Sequence, residues 1–320
     1  MENSIKTAAI IYNPVATRFN MELLAQVTKK LEEHGIEVVS AASEYAGHVI
    51  PLVKQYNPLC DLILSIGGDG TMGECFQGFH GEKQYALYSH LPAGTANDST
   101  KNLGLKKKDN IASLDMILNG EIKETDILTI NGTPFGNASA LGFLASMVYE
   151  TPRSLKYRFG KTAYVLFAVK NITKLFRKVH LKYYLDGEEC EDAAVLTLIT
   201  NSKNFSNVEI YKHVEVDDGL FEVLFLRRLS FKVLLQVISD CLKGGINFPH
   251  YGDAVKTFST GELTLCFDNN KTVYSLCNDG DKYPLERGDL ELKFKTDGKI
   301  RMLLPAGLNA MSKAKTKETA

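Results

Sequence analysis

A glycine-rich turn near residue 67 joins an apolar run to a helical segment. The apolar run is Leu62-Ile63-Leu64, the turn reads Ser65-Ile66-Gly67-Gly68-Asp69-Gly70-Thr71, and Met72 to His80 is predicted to form the helix. Glycines let the backbone approach an anionic ligand closely, and a helix N-terminus adds partial positive charge there. A tight turn without a ligand is the alternative. Asp69 favours phosphates bound together with a cation such as Mg²⁺, because a bare carboxylate would repel them.

A second glycine-containing segment follows the next predicted strand along the chain. The strand is Ala86 to Leu91, and the segment reads Pro92-Ala93-Gly94-Thr95-Ala96-Asn97-Asp98. Adjacent parallel strands end at the same edge of a sheet, which is where α/β folds bind ligands. The chain contains neither the P-loop pattern nor the dinucleotide fingerprint, so those two common folds are not supported.

The hydrophobic pattern changes near residue 125. Residues 5 to 125 alternate short apolar strands with amphipathic helices, which predicts a parallel sheet covered on both faces. From Ile127 onward, β-rich runs indicate an antiparallel sandwich or barrel with attached helices. The predicted strands are Ile127 to Ile130, Val179 to Tyr184, Ala193 to Thr200, Leu220 to Leu226, Glu262 to Phe267, Thr272 to Cys277 and Leu290 to Phe294, and the predicted helices are Ala163 to Phe176 and Phe231 to Leu242.

Two acidic turns supply carboxylates in the second half of the chain. Asp279-Gly280-Asp281 follows a predicted strand and is typical of a hairpin turn, for which Asp-Gly is a common pair. Asp217-Asp218-Gly219 precedes another strand, and it suits either an ordinary turn or the oxygen ligands of a divalent cation. In the first half, Asp98 is a helix N-cap on the simplest interpretation.

Composition limits the class of protein. With 44% hydrophobic residues, 23% charged residues and a formal net charge of -1, the chain is typical of a globular protein without a basic excess. Its six cysteines include no C-x-x-C pair, so reduced thiols are expected rather than a disulfide framework or a zinc site. No apolar run approaches a membrane span, and no signal peptide is expected.

Together the motifs resemble the diacylglycerol-kinase catalytic family, especially its soluble bacterial lipid kinases, which are relatives of sphingosine and ceramide kinases. The likeness spans nearly the whole chain in the family's order. It runs through Tyr12-Asn13-Pro14, Gly67 to Thr71, Leu91 to Asp98, Asn137 and Gly142, Tyr157 to Tyr164, Val216 to Phe221 and Asn278 to Asp281.

This resemblance implies an ATP- and Mg²⁺-dependent lipid kinase that phosphorylates a hydroxyl of diacylglycerol or a related lipid. It implies a nucleotide domain over residues 1–125 plus about 300–311 and a β-rich lipid-substrate domain over 126–299. The polar, alanine- and lysine-containing residues 312–320 are expected to form a flexible tail. The implied nucleotide contacts are Asn13, Thr17, Gly67, Gly68, Gly70, Thr71, Gly94, Thr95 and Asn97, the implied catalytic carboxylates are Asp69 and Asp281, and the implied magnesium-linked residues are Asp218, Glu215, Leu220 and Asp98.

Two departures from the family pattern leave alternatives open. The family has a glutamate base where this chain has Asp281, whose side chain is ~1 Å shorter in reach. The serine and glycine that usually follow Asn-Pro are missing from the Val15-Ala16-Thr17 stretch. These changes leave open a non-catalytic lipid- or nucleotide-binding regulator. An NAD kinase-like small-molecule kinase is the other alternative, because that related group shares the Gly-Gly-Asp-Gly-Thr turn.

A basic segment without acidic residues extends from Arg153 to Lys182. Its cations are interleaved with Tyr, Phe, Leu and Val, which suits an anionic lipid surface. The expected membrane contacts are Lys170, Lys174, Arg177 and Lys178. A core-packed helix with a solvated lysine face is the alternative. We expect a cytoplasmic protein that associates peripherally with membranes and binds a lipid but no nucleic acid, with a homodimer as one assembly state.

Overall fold

A computed structural model describes residues 5–95, 97, 99–106, 108–159, 162–185, 187–205, 208–269 and 276–307, and it describes some of these, Asp281 among them, by backbone alone. The strands are β1 (Thr7–Tyr12), β2 (Glu37–Ala42), β3 (Leu62–Gly67), β4 (Leu87–Pro92), β5 (Glu121–Ile130), β6 (Thr133–Phe135), β7 (Ala138–Leu141), β8 (Val179–Leu185), β9 (Glu188–Ala194), β10 (Leu196–Thr200), β11 (Asn204–Phe205), β12 (Val208–Glu209), β13 (Phe221–Leu226), β14 (Val255–Thr260), β15 (Glu262–Asp268), β16 (Leu276–Asn278), β17 (Asp281–Tyr283) and β18 (Asp289–Leu304). The helices are α1 (Met21–Glu33), α2 (Val49–Tyr56), α3 (Asp69–Phe79), α4 (Ser99–Asn102), α5 (Asn110–Leu118), α6 (Phe143–Glu150), α7 (Arg153–Phe159), α8 (Thr162–Lys170), α9 (Ile172–Leu175) and α10 (Phe231–Lys243), with 3₁₀ turns at Phe248–His250 and Gly252–Ala254.

Two compact units make up the chain. The first contains the residues up to Ile127 and those from Asp297 onward, and the second is Leu128–Thr296. In the first unit the strand order is β2-β1-β3-β4, followed by the C-terminal part of β18, and these neighbours pair in parallel. Strands β3 and β4 are buried along their whole length, as expected for central strands of a parallel sheet covered on both faces. The predicted parallel sheet is therefore confirmed.

The second unit stacks two antiparallel sheets. One sheet contains β9, β8, β15 and the N-terminal part of β18, and the other has the order β14-β13-β10-β7-β16-β17. Their inner faces share one apolar core, which includes Tyr183, Leu265, Phe225 and Phe294. Alternation along β8 shows how the sequence produces this layer, because its buried residues alternate with exposed ones. The predicted β-sandwich is confirmed.

Helices form a third layer on the outer face of the six-stranded sheet. A separate apolar core joins that face, through residues such as Leu198 and Leu224, to Ala145 of α6, Leu175 of α9 and Leu234 of α10. Successive residues of a strand point to opposite faces, so the same strands serve both cores. The second unit is therefore layered as sheet, sheet and helices.

Several predicted elements differ from the observed ones. The predicted strand Ala193 to Thr200 is two strands in different sheets, because the chain crosses between sheets at Val195. The predicted helix Ala163 to Phe176 divides at Asn171, whose side-chain amide donates to the Phe167 carbonyl (3.0 Å). Strand β14 was not predicted, because its polar residues suit an edge strand and give little hydrophobic signal. Of the predicted strand Thr272 to Cys277, residues 272–275 lie outside the described part of the chain.

Candidate active site

Three loops at the carboxyl edge of the parallel sheet are held together by backbone hydrogen bonds. The Asn13 N–H donates to the Ile66 carbonyl (3.0 Å), and the Arg18 N–H donates to the Ala93 carbonyl (2.8 Å). The Ala93 N–H in turn donates to the Gly67 carbonyl (2.6 Å). The loops that follow β1, β3 and β4 therefore lie side by side, at the edge where parallel sheets bind ligands.

Two glycines let two of these loops approach each other closely. A Cβ atom built on Gly94 would lie 2.5 Å from the Gly68 Cα, and one built on Gly68 would lie 3.3 Å from the Gly94 Cα. A Cβ on Gly67 would collide with the side chain of Thr71. A side chain at Gly94 would force the two loops apart, one at Gly67 would displace Thr71, and one at Gly68 would make a tight contact, so the close approach depends most strongly on Gly94.

Side chains from two of the loops meet beside this surface. The hydroxyls of Thr17 and Thr95 are hydrogen-bonded at 2.8 Å. Asn97 adopts a left-handed backbone (φ 50) and donates its side-chain amide to the Gly94 carbonyl (2.8 Å). Its Oδ1 is buried and has no hydrogen-bond partner within the described part of the chain. A buried acceptor of this kind suits a ligand donor. Asp98 lies outside the described residues.

Helix α3 begins earlier than the sequence pattern predicted. We expected Met72 to His80, but the helix starts at Asp69, with the extended residue Gly68 as its N-cap. Gly70 and Thr71 therefore belong to the first turn and not to a loop. Because the first N–H groups of a helix have no partner within it, the glycine-rich motif itself supplies the donors and the positive end of the helix dipole.

Buried polar side chains of β3 and β4 form an uncharged cluster. The Ser65 hydroxyl is hydrogen-bonded to the Tyr88 hydroxyl (2.8 Å) and to Nδ1 of His90 (2.7 Å). Burial raises the pKa of the Cys75 thiol to about 12. Burial also lowers the pKa of His90 to about 4, although the Asp69 carboxylate opposes this shift. His90 belongs to no local sequence motif, and its closeness to Asp69 arises from the pairing of β3 with β4.

The buried imidazole predicts a pH dependence of stability. Its pKa in the folded state is about 4, below the ordinary value of 6.5, so the unfolded chain binds the additional proton between these limits. The contribution of His90 to the free energy of unfolding is complete above pH 6.5. It is lost as the pH falls toward 4, by roughly 3 kcal/mol in total. We expect the thermal midpoint of the first unit to fall less between pH 7 and pH 5 in His90→Gln than in the parent. An equal fall of the thermal midpoint in the parent and in His90→Gln, measured by calorimetry, would contradict this prediction.

In the second unit, Asp279 occupies the hairpin between β16 and β17. Asp279 and Gly280 both have positive φ (51 and 93), which is the geometry of a two-residue hairpin turn. The turn that the Asp-Gly pair predicted is therefore present. Its carboxylate also accepts hydrogen bonds from the backbone N–H groups of Gly136 (2.6 Å), Asn137 (2.8 Å) and Ala138 (3.1 Å). The sequence did not reveal this contact, because the donors lie about 140 residues away.

Asp281 begins β17 and pairs with Asn278 across the hairpin. Its side chain is not among those described. The carboxylate of Asp279 joins this hairpin to the segment before β7, so Asp279 contributes to fixing the backbone position of Asp281. From the sequence, a catalytic role was assigned to Asp281 alone, and Asp279 was interpreted as a turn residue.

Asp218 lies in the exposed turn before β13. Its carboxylate accepts the Leu220 N–H (2.9 Å), which is the local hydrogen bond of an Asx turn. Glu215 and Leu220 are exposed in the same loop. Burial raises the pKa of Glu222, and the charge of Asp218 raises it further. Glu222, which sequence reasoning missed, therefore lies near Asp218 and adds a second carboxylate to this region.

A dedicated metal centre is absent from the described residues, where no three His, Cys, Asp or Glu side chains converge. The described cysteines Cys60, Cys75, Cys190, Cys266 and Cys277 are free thiols, as expected. A magnesium site of the kind implied for kinases needs few protein ligands, because phosphate oxygens and water complete the shell.

The basic segment forms α7 to α9 on the helical layer. Lys170, Arg177 and Lys178 are exposed, whereas Lys174 is half-buried and lies 5.4 Å from the ring centroid of Phe143. The structure thus separates three solvent-facing cations from one that packs on an aromatic ring. In the described part of the chain, no helix has both the length and the apolar character needed to cross a membrane.

Family models account for both units. Residues 7–130 match the diacylglycerol kinase catalytic domain, and residues 141–285 match the YegS C-terminal NAD kinase beta sandwich-like domain. Among solved structures, a chain from Bacillus anthracis str. Sterne has a TM-score of 0.76 at 20% identity, covering 95% of this chain and 98% of that one. At this identity the likeness shows the fold alone.

Sequence relatives extend the likeness. The diacylglycerol kinase of Bacillus subtilis (strain 168) is 30% identical over 243 residues, which are 75% of this chain and 80% of that protein. The diacylglycerol kinase of Staphylococcus saprophyticus is 27% identical over 242 residues, which are 75% and 79% of the two chains. The sequence motifs and the fold agree with this sequence identity, which extends over three quarters of the chain. The chain belongs to the diacylglycerol kinase family of phosphotransferases, which use an alcohol group as the acceptor.

Proposed function

We propose that this chain transfers a phosphoryl group from ATP, with Mg²⁺, to a hydroxyl of diacylglycerol or a closely related lipid. The observation that carries the proposal is the close approach of Gly68 and Gly94 at the N-terminus of α3. Such a surface of backbone N–H groups is suited to a polyphosphate.

The residues of the first unit fit a bound nucleotide. Gly67, Gly68 and Gly94 leave the backbone open to phosphate oxygens, and the unpaired Oδ1 of Asn97 offers a buried acceptor. Asp69 in the first turn of α3 is the proposed carboxylate near the cation, and Asp98 is its proposed neighbour. Asn13, Thr17, Gly70, Thr71 and Thr95 complete the proposed contacts. Bound ATP with Mg²⁺ supplies the transferable phosphoryl group and compensates the charge on its oxygens.

The second unit is proposed to contribute the acceptor side of the reaction. Asp281 is the proposed general base for the lipid hydroxyl, and the Asp279 hydrogen bonds stabilise the hairpin on which it lies. Asp218 is the proposed magnesium-linked carboxylate, together with Glu215 and the backbone of Leu220. The exposed cations Lys170, Arg177 and Lys178, with Lys174 beside them, are proposed to meet anionic lipid headgroups.

A radiolabelled-phosphate transfer assay with a panel of acceptors tests this function. We expect transfer from ATP to detergent-dispersed diacylglycerol that requires Mg²⁺, and no transfer to NAD. Asp281→Asn should lower kcat by ~10²- to 10⁴-fold, because an amide cannot accept the hydroxyl proton. Nucleotide affinity should remain within about twofold, since the substitution leaves the first unit intact.

The possible outcomes separate the alternatives. Phosphorylation of NAD without phosphorylation of lipid would replace the lipid kinase by a small-molecule kinase. Nucleotide binding without transfer to any acceptor would favour a regulator. Full activity of Asp281→Asn, measured when chemistry limits the rate, would remove Asp281 from the mechanism.

A further inference from the structure

Exposed apolar side chains are concentrated on the helical layer of the second unit. Among the side chains that the structure describes between Leu128 and Thr296, eight large apolar ones are exposed, and six of these lie on or directly beside the helices of this layer: Phe159, Leu166, Val169, Phe176, Phe231 and Leu235. The basic segment contains the first four. The other two belong to α10, which the sequence assigned to no function.

On α10, Phe231 and Leu235 form an exposed apolar pair. Their side chains are 72% and 51% exposed, and residues four apart lie on the same face of a helix. The opposite side of the helix is packed, because Val233 and Leu234 contact the core under the layer. A helix whose inner face is already buried has no structural need for two further large apolar residues outside.

Hydrogen bonds cap α10 at its start and anchor it near its end. At its start, the Ser230 hydroxyl accepts the Val233 N–H (3.2 Å). Near its end, the carboxylate of the buried Asp240 accepts from the Asn247 N–H (3.1 Å) and the Tyr251 hydroxyl (2.9 Å). The exposed pair therefore lies at the capped start of a helix whose other end is anchored to the segment that follows it.

The charged residues nearest to this pair in the sequence are basic. Arg228 and Lys232 are exposed beside it, and the sequence from Val223 to Ser239 contains no acidic residue. The acid that follows, Asp240, is 2% exposed and is used inside the fold. Apolar side chains flanked by exposed cations complement an anionic lipid surface, where rings enter the headgroup boundary and cations meet phosphates.

We propose that Phe231 and Leu235 insert into an anionic bilayer, with Arg228 and Lys232 at its headgroups. The occupant of this face is a lipid surface. The inference deepens the proposed function, since a lipid-acting kinase must meet its substrate at a membrane, but it concerns attachment and not phosphoryl transfer. It assigns to α10 a contact separate from the cations of the basic segment.

A single tryptophan reports insertion directly, because the chain contains no tryptophan. Phe231→Trp should show a blue-shifted emission with phosphatidylcholine vesicles that contain phosphatidylglycerol, and brominated lipid should quench it. The matched control is Leu59→Trp, at a site 65% exposed in the first unit, and its emission should not change. Vesicle binding with unshifted emission at residue 231, or no binding of the parent to these vesicles, would overturn the proposal.

Removing the pair provides the second measurement. Phe231→Ser with Leu235→Ser should weaken vesicle binding by about ten- to a hundredfold, because two apolar side chains no longer leave water. Leu59→Ser with Tyr85→Ser is the control and should bind as the parent does. Transfer to detergent-dispersed diacylglycerol should persist in both double variants, so failed attachment is distinguishable from failed catalysis. Loss of that transfer, or a changed oligomeric state of the Phe231/Leu235 variant without lipid, would contradict membrane insertion.

Discussion

Replacement of Gly94 by alanine is expected to abolish nucleotide binding and phosphoryl transfer. The new Cβ would lie 2.5 Å from the Gly68 Cα and 2.7 Å from Oδ1 of Asn97. The loop cannot easily move away, because the Ala93 and Gly94 N–H groups both donate to the Gly67 carbonyl (2.6 and 3.1 Å). We expect ATP affinity, measured by titration calorimetry, to fall at least ~100-fold, since the surface that is proposed to hold the phosphates would open.

Gly68→Ala is the matched control for this substitution. Its Cβ would lie 3.3 Å from the Gly94 Cα, a tight contact that a shift of a few tenths of an ångström relieves. Its affinity loss should therefore be clearly smaller than that of Gly94→Ala. Equal losses, or an unchanged affinity in Gly94→Ala, would show that the close approach of the two loops does not serve ligand binding.

Asp279→Asn is expected to destabilise the second unit and to lower turnover. Asparagine tolerates the left-handed backbone of this position, so the substitution tests the carboxylate and not the turn. Its amide would place a donor against the Gly136 N–H, which now donates to the carboxylate at 2.6 Å. We expect a loss of about 3 kcal/mol, seen in calorimetry as a fall of about 6 to 12 °C in the midpoint of this unit. The rate of lipid phosphorylation should fall as well, because the hairpin positions Asp281.

The control is Asp218→Asn, an isosteric change in another acidic turn. That carboxylate is exposed and accepts one local N–H in the described structure, from Leu220. Its effect on the thermal midpoint should be small, within about 0.5 kcal/mol. If both variants had the same midpoint as the parent, the three hydrogen bonds of Asp279 would not contribute measurably to stability.

Much of the fold could be predicted from the sequence. The first unit was predictable because short strands rich in apolar residues, such as β3, alternate with amphipathic helices, a pattern typical of a parallel sheet covered on both faces. The polar edge strand β14 could not be predicted, since its place depends on pairing with β13 and not on its own pattern. Val195 shows another limit, because a single apolar run contained the crossing between two sheets.

The candidate site was predictable where it rests on local motifs. The glycine turns marked the loops after β3 and β4, and the parallel sheet brought them together. The contact of Asp279 with the segment before β7 was not predictable, because hydrogen bonds across 140 residues leave no local pattern. His90 likewise lies near Asp69 only through the register of two strands, Ser65 opposite His90.

The long strand β18 has a consequence for the order in which the protein forms during synthesis. Its residues from Asp297 onward belong to the first unit, where Met302 pairs with Tyr88 and the Ser89 hydroxyl donates to the Leu303 carbonyl (2.9 Å). Translation therefore delivers every residue of the second unit before the first can complete its sheet. Until β18 pairs with it, one edge of β4 presents unpaired backbone N–H and C=O groups. Strands of other nascent chains can form hydrogen bonds with such an edge. The unit that begins first is completed only after the second unit has been synthesised, and its protection in the cell depends on strand residues that follow the second unit in the chain.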